Sequence, residues 1–329
     1  MGLFCCAWNL ACSSARVIFC SVIRFCALVC GLFLILPAPG AVSAQQQPPR
    51  TLRASVSAPL DAPGRLEVRA LAAAYPERID ETALRNEDWA ARIDDTWYYW
   101  ADGRMLPYEE RFDNRRYTGI RFYNYALGPL QLREIDEATA ERLRERSRQP
   151  ASAGLPRHNG FLDALYGIST RSDAYRWIVD TTFLGLKTQA HRMIVEPLSS
   201  VERQIRSLMV TDAEVRAFVA ELQQVSTFSW REIAGTNRRS YHSYGVAVDL
   251  IPRSYHGRFG YWRWAMQSGI EEWWDVPPEQ RWRPPQPVID AFENNGFVWG
   301  GKWLSFDPIH FEYRPEVILL ARWREAGIR

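Results

Sequence analysis

The patterning of this 329-residue sequence predicts an α+β protein. Three observations carry that expectation. From Phe161 the chain is helical in pattern, and Val215, Phe218, Val219 and Leu222 recur at i, i+3, i+4 and i+7, the apolar stripe of a core-facing helix. Gly245 to Pro252 alternates instead, with Val246, Val248 and Leu250 on one side and Ala247, Asp249 and Ile251 on the other, the period of a strand. Thr96 to Trp100 and Arg104 to Leu106 flank Ala101-Asp102-Gly103, which reads as a hairpin with a D-G turn.

In chain order, residues 1–44 read as a signal peptide. Arg16 and Arg24 supply positive charge, Cys26 to Pro37 is apolar, and Val42-Ser43-Ala44 is a small-residue cleavage site. Residues 45–64 read as a polar tether. Ile135 to Arg148 reads as a charged helix, and Gln149 to Gly160, with its Pro, Ser, Gly and Asn, as a loop. That loop divides the expected organisation into an N-terminal extension of unknown role, 45–155, and a second domain, 156–329. Thr211-Asp212-Ala213-Glu214 has the form of a capping box at a helix start. Residues 253–287 are rich in Trp, Arg and Pro and lack periodicity. A short helix begins at Val288, Ile289 and Phe292 and closes at Asn294-Asn295-Gly296, with Gly296 suited to a left-handed cap. A second strand follows.

Composition excludes several function classes. All six cysteines lie in the leader, so the remaining chain has no disulfides, cysteine-based zinc sites or cysteine nucleophile. The formal charge of +2 falls to about zero without the two leader arginines, which argues against a polyanion or nucleic-acid partner. His, Asp and Glu remain as candidate metal ligands, and the chain has five histidines.

Two segments concentrate such groups. The first is Ser240-Tyr241-His242-Ser243-Tyr244-Gly245-Val246-Ala247-Val248-Asp249. The second is Trp299-Gly300-Gly301-Lys302-Trp303-Leu304-Ser305-Phe306-Asp307-Pro308-Ile309-His310-Phe311-Glu312. Together they offer two histidines and a carboxylate to one metal, with a further carboxylate nearby. Three protein ligands and an open position are how a catalytic zinc is held. Asp249 is a lone acid on an otherwise apolar strand face, a costly placement unless it is paired or bound to metal. A salt bridge to one of the many arginines would also satisfy it, and His242 alone reads equally as a hydrogen-bonded structural histidine. His310 and Glu312 are two apart, so on a strand they share a face. Asp307 and Glu312 both stand as candidate bases, and Asp307 before Pro308 also reads as a turn residue.

The S-x-H-x-x-G-x-A-x-D pattern, with W-G-G-x-W and H-F-E after it, resembles the LAS group of zinc peptidoglycan peptidases. That group comprises VanY-like D-Ala-D-Ala carboxypeptidases and L-alanyl-D-glutamate endopeptidases. The resemblance covers roughly residues 230 to 314. It implies a small antiparallel sheet with packed helices, a fold shared with hedgehog domains. It also implies Zn2+ on His242, Asp249 and His310, with Asp307, three residues before the last ligand, as general base. Arg231 is the arginine that would contact substrate, with Arg238 and Arg239 as alternatives; the planar guanidinium fork suits a carboxylate or polarised carbonyl. Trp299 and Trp303 would wall the site. The other tryptophans between 262 and 303 read mostly as core filling, with Trp273 and Trp274, beside Glu271 and Glu272, as a candidate substrate-side flap. The implied substrate is a peptidoglycan stem peptide, met in the periplasm or cell envelope, with no stable membrane partner after leader cleavage. A non-catalytic zinc-binding envelope module of the hedgehog-like fold is the alternative, and a structural envelope role for residues 45–155 is a third.

Overall fold

The computed structural model describes residues 62–328, apart from 121, 133, 149–153, 235 and 237. The expected leader, its cysteines and most of the tether lie outside the described residues. Helix α1 (Arg65–Ala74) precedes an antiparallel meander of β1 (Glu81–Arg85), β2 (Asp88–Ile93), β3 (Thr96–Trp100) and β4 (Met105–Leu106). The D-G hairpin is β3–β4: Asp102 and Gly103 both have positive φ, 50° and 77°, as a two-residue primed turn requires. Helix α2 (Glu137–Arg148) follows, close to the range its charges suggest.

The next stretch corrects the helical expectation from Phe161. Helix α3 (Gly160–Tyr166) and the short α4 (Ala174–Trp177) lead into a hairpin, β5 (Ile178–Phe183) and β6 (Leu186–His191). Its turn, Leu184-Gly185, has φ of 51° and 83°. Leucine is a poor resident of the left-handed region, so the usual N-G or D-G signal is missing, although β-branched Ile178, Val179, Thr181 and Thr182 favour a strand. Helices α5 (Arg192–Thr211) and α6 (Ala213–Glu221) then appear in order. Thr211 closes α5 instead of capping α6. Asp212 is the cap, accepting hydrogen bonds from the Glu214 and Val215 amides at 2.9 and 3.0 Å. Leu222 leaves the stripe to open β7 (Leu222–Ser226).

The sheet that carries the motifs has the order β7–β8–β10–β9, all antiparallel, with β8 (Ala247–Pro252), β9 (Phe297–Trp299) and β10 (His310–Tyr313). Between β8 and β9 lie α7 (Trp262–Gln267), irregular chain and α8 (Gln286–Asn294). Gly296, at φ 85°, ends α8 in the left-handed conformation. Helix α9 (Pro315–Glu325) closes the described chain. Among the described residues no helix is long and apolar enough to cross a membrane.

One hydrophobic core runs through both sides of the 155/156 division. It unites Val68, Leu71, Tyr75, Ile79, Ile93 and Met105 with Phe161, Tyr166, Val201, Val248, Phe292 and Phe311, all nearly or fully buried. Tyr75 donates to Glu316 of α9 at 2.9 Å, and Arg314 donates to the Ile120 carbonyl at 3.1 Å. The N-terminal extension is thus a structural partner of the motif-bearing sheet.

Candidate metal centre and cleft

The first motif forms a tight turn running into a strand. Ser240 accepts from the His242 amide and starts a single 3-10 turn, Tyr241–Tyr244. Gly245 ends it at φ 66°, where a Cβ would lie 2.5 Å from Ile178 Cδ1 and 2.9 Å from the His191 nitrogen. Glycine is therefore required both by conformation and by the approach of the β5–β6 hairpin. Beyond it, β8 carries Asp249 directly opposite His310 of β10. Cross-strand partners point to the same face, so residues far apart in sequence meet.

His242 Nε2 lies 3.1 Å from Asp249 Oδ2 and 3.2 Å from His310 Nδ1, and His310 Nδ1 lies 2.7 Å from Asp249 Oδ1. The remaining ring nitrogens are engaged outside this cluster. His242 Nδ1 donates to the Thr227 carbonyl at 2.7 Å, and His310 Nε2 lies 3.3 Å from Glu312 Oε1. This is the outer support that fixes tautomer and ring orientation in a metal site. The donor set fits zinc: two imidazoles and a carboxylate, largely buried, with candidate ligand atoms all within 4.8 Å of one another. Burial opposes the charge on Asp249, but His242 and His310 outweigh it and hold the carboxyl far below its usual range. Burial likewise opposes a charged His310, yet Asp249 and Glu312 raise its pKa well above the ordinary imidazole value. A cation entering the cluster would displace that proton.

Asp307 sits on the turn before β10. Its amide donates to the Gly300 carbonyl, and its own carbonyl accepts from the His310 amide, both at 3.0 Å. A Cβ on Gly300 would lie 2.6 Å from the Asp307 carbonyl oxygen, which accounts for the first glycine of W-G-G. Asp307 Oδ1 is buried with no hydrogen-bond partner among the described residues. Burial, helped by Asp249 and Glu312 and opposed by His310 and Arg231, pushes its carboxyl up to about 7. Glu312, the rival base, is committed to His310 and lies 3.8 Å from Arg314. Its pKa is lowered although burial works against that, because His310 and Arg314 favour its charge.

Asp249, Asp307 and His310 line a cleft of about 680 Å3. Arg231 lies on its rim with an exposed side chain and a pinned backbone: its amide donates to Ser243 Oγ at 3.0 Å and its carbonyl accepts from the Ser240 amide at 3.0 Å. Arg238 also lines the cleft, whereas Arg239 pairs with Asp163 at 2.6 Å and stacks on Trp230 away from it. Trp303 lines the cleft, its ring 5.4 Å from that of His310. Trp299 does not; it is buried beneath, and its indole N–H pins the turn by donating to the Pro308 carbonyl at 2.8 Å. Trp273 and Trp274 form no flap. Both are buried with Ala265, Val276 and Phe306 in a small second core, where such large rings are most useful. Trp273 reaches the cleft only as part of its wall.

The structure adds partners that lie in no motif. Trp303 Nε1 donates to Tyr123 at 2.9 Å, and the Trp299 amide donates to Tyr125 at 2.9 Å. Tyr125 in turn donates to Glu293, which also holds Lys302. The tyrosines are nearly two hundred residues away in sequence, and no local pattern announces them.

Residues 234–313 match the model of a family described as D-alanyl-D-alanine carboxypeptidase. Residues 67–122 match a domain of unknown function. No curated protein and no solved structure matches the chain significantly. The first match contains His242, Asp249, Asp307, His310 and Glu312 but stops short of Arg231. It supports a peptidase, a hydrolase, for this segment, and its family is generally zinc-dependent.

Proposed function

We propose that this chain is an exported zinc metallopeptidase that hydrolyses peptide bonds in peptidoglycan stem peptides, of the D-Ala-D-Ala carboxypeptidase or L-Ala-D-Glu endopeptidase type. One observation carries the reading: His242, Asp249 and His310 converge beside Asp307, whose Oδ1 is buried without a partner, in a cleft, within a segment similar to a carboxypeptidase family. Zinc there would supply a Lewis acid that polarises the scissile carbonyl and lowers the pKa of water. Asp307 takes the proton of the attacking water and returns it to the leaving amine, the part of a general base and then a general acid. Arg231, on the rim, holds the carbonyl oxygen as charge develops. Thr227 and Glu312 keep the two imidazoles turned inward.

Signal-peptide features in residues 1–44 support a periplasmic or cell-envelope protein, with a wall peptide as its partner and neither a stable membrane partner nor nucleic acid. The test is mass spectrometry of muropeptides incubated with the zinc-loaded chain, the chelated chain and Asp307→Ala. Peptide-bond cleavage by the first alone is expected, and the fragment masses identify the bond. Unchanged muropeptides with a folded, zinc-loaded wild type would overturn the reading.

A further inference from the structure

Arg157 is a buried charge that the site described above does not use. It is 7 % exposed and lines the cleft, at the C-terminal end of the wall that Thr118, Ile120, Tyr123 and α2 begin. This wall lies outside the segment similar to the carboxypeptidase family. The Arg157 guanidinium lies over the Tyr241 ring, 5.0 Å from its centroid, and donates one hydrogen bond, to the Arg239 carbonyl at 3.3 Å. Its Nε has no partner, and among the described residues no carboxylate forms an ion pair with it. Glu312 is near enough for its charge to be felt, but it is committed to His310 and Arg314. Burying a charge without a paired counter-charge is costly. The same wall carries Arg142 and Arg146, one helical turn apart on α2 and both lining the cleft, while Arg238 lines it from another side. Of the carboxylates that line the cleft, Asp249, Asp307 and Glu312 lie at the candidate metal cluster, and Glu145 stands exposed on α2 between the two arginines.

We infer that Arg157 is a specificity-determining residue: with Arg238 and the α2 arginines it forms a subsite for a carboxylate on the bound peptide, so that the cleft selects acidic peptides. The inference rests on the reading of the cleft as a peptide site. Its chemistry is a planar fork meeting a planar carboxylate in a place shielded from water. The carboxylate comes either from an acidic side chain or from a free C-terminus.

The test uses the full zinc-loaded chain carrying Asp307→Asn, which prevents turnover, and calorimetric titration with synthetic peptides. One pair is L-Ala-D-Glu-L-Lys capped at both ends and its D-Gln counterpart. A second pair is the D-Gln peptide with a free C-terminus and with a C-terminal amide. The expected result is tighter binding of the acidic member of one pair, by roughly 10- to 100-fold. Adding Arg157→Gln should erase that preference and leave the affinity of the neutral member unchanged; the pair affected identifies the source of the carboxylate. A merely structural Arg157 would weaken both members alike, and that outcome overturns the inference. Equal affinities within both pairs for the chain with Arg157 intact overturn it as well, whether or not the variant folds. Hydrolysis by the wild type is scored separately: carboxylate-dependent binding without cleavage would defeat the peptidase reading and leave the subsite standing.

Discussion

At the scale of single residues, the proposed centre rests on a division of labour between groups that hold and a group that works. His242 and His310 each commit one nitrogen outward, to Thr227 and Glu312, and turn the other inward. Replacing either histidine with alanine leaves two protein ligands, so zinc content by elemental analysis should fall from about one per chain to near zero. Asp307→Ala leaves the three ligands intact. It should therefore keep zinc yet lose about 10²- to 10⁴-fold in hydrolysis, the usual cost of removing a general base. Full activity in Asp307→Ala together with a dead Glu312→Ala would exchange the two roles. The meeting of His242, Asp249 and His310 was legible in sequence because ligand chemistry permits few residue types and the two motifs space them tightly. Arg157, Tyr123 and Tyr125 were not, since nothing local marks a side chain whose partner lies across the fold.

At the scale of elements, period and turn chemistry decide what can be read. The strand around Asp249 and the helix before Gly296 were clear because alternation and a left-handed glycine are local signals. The β5–β6 hairpin was hidden by its Leu184-Gly185 turn and by its place inside a helical stretch. The start of α6 shows how one residue matters. Thr211 and Asp212 both suit an N-cap, but only Asp212 has extended backbone, φ −102° and ψ 111°, from which a side chain reaches the free amides. Asp212→Ala should cost about 1 kcal/mol in urea denaturation, whereas Thr211→Ala, at an exposed helical position where alanine is the better helix former, should cost nothing. Equal losses would mean that the cap is shared.

At the scale of the whole molecule, residues before 156 are part of the core that supports the motif sheet. A chain beginning at residue 156 would bare the surfaces on which Val68, Leu71, Tyr75 and Ile79 pack, each at most 4 % exposed. Circular dichroism should find it unfolded or molten; a cooperative transition at the full-length temperature would show that the extension is dispensable. Neither composition nor the loop-like sequence of 149–160 reveals this dependence, because a break in local pattern says nothing about whether one core spans it. The global pH response has a local source too. His191 caps α5, accepting from the Met193 amide, donates to the Tyr166 carbonyl and stacks on Trp177. Burial pushes it down to about 4, from 6.5. Between those values the unfolded chain takes up a proton that the fold refuses, so stability falls as pH drops through that window, by at most about 3 kcal/mol. His191→Asn keeps a capping oxygen but cannot titrate. With metal removed, its stability should be flatter than the wild type's from pH 6.5 to 4, and parallel curves would exclude His191 as the source.

The pairing of Asp249 with His310 across β8 and β10 has one more consequence. Were β10 to slip by a single residue, Ile309 or Phe311 would stand opposite Asp249, and His310 would turn to the other side of the sheet. A slipped register would keep His242 beside Asp249 and lose the third donor. An ion would find the complete set only in a chain whose two distant strands had already met in register.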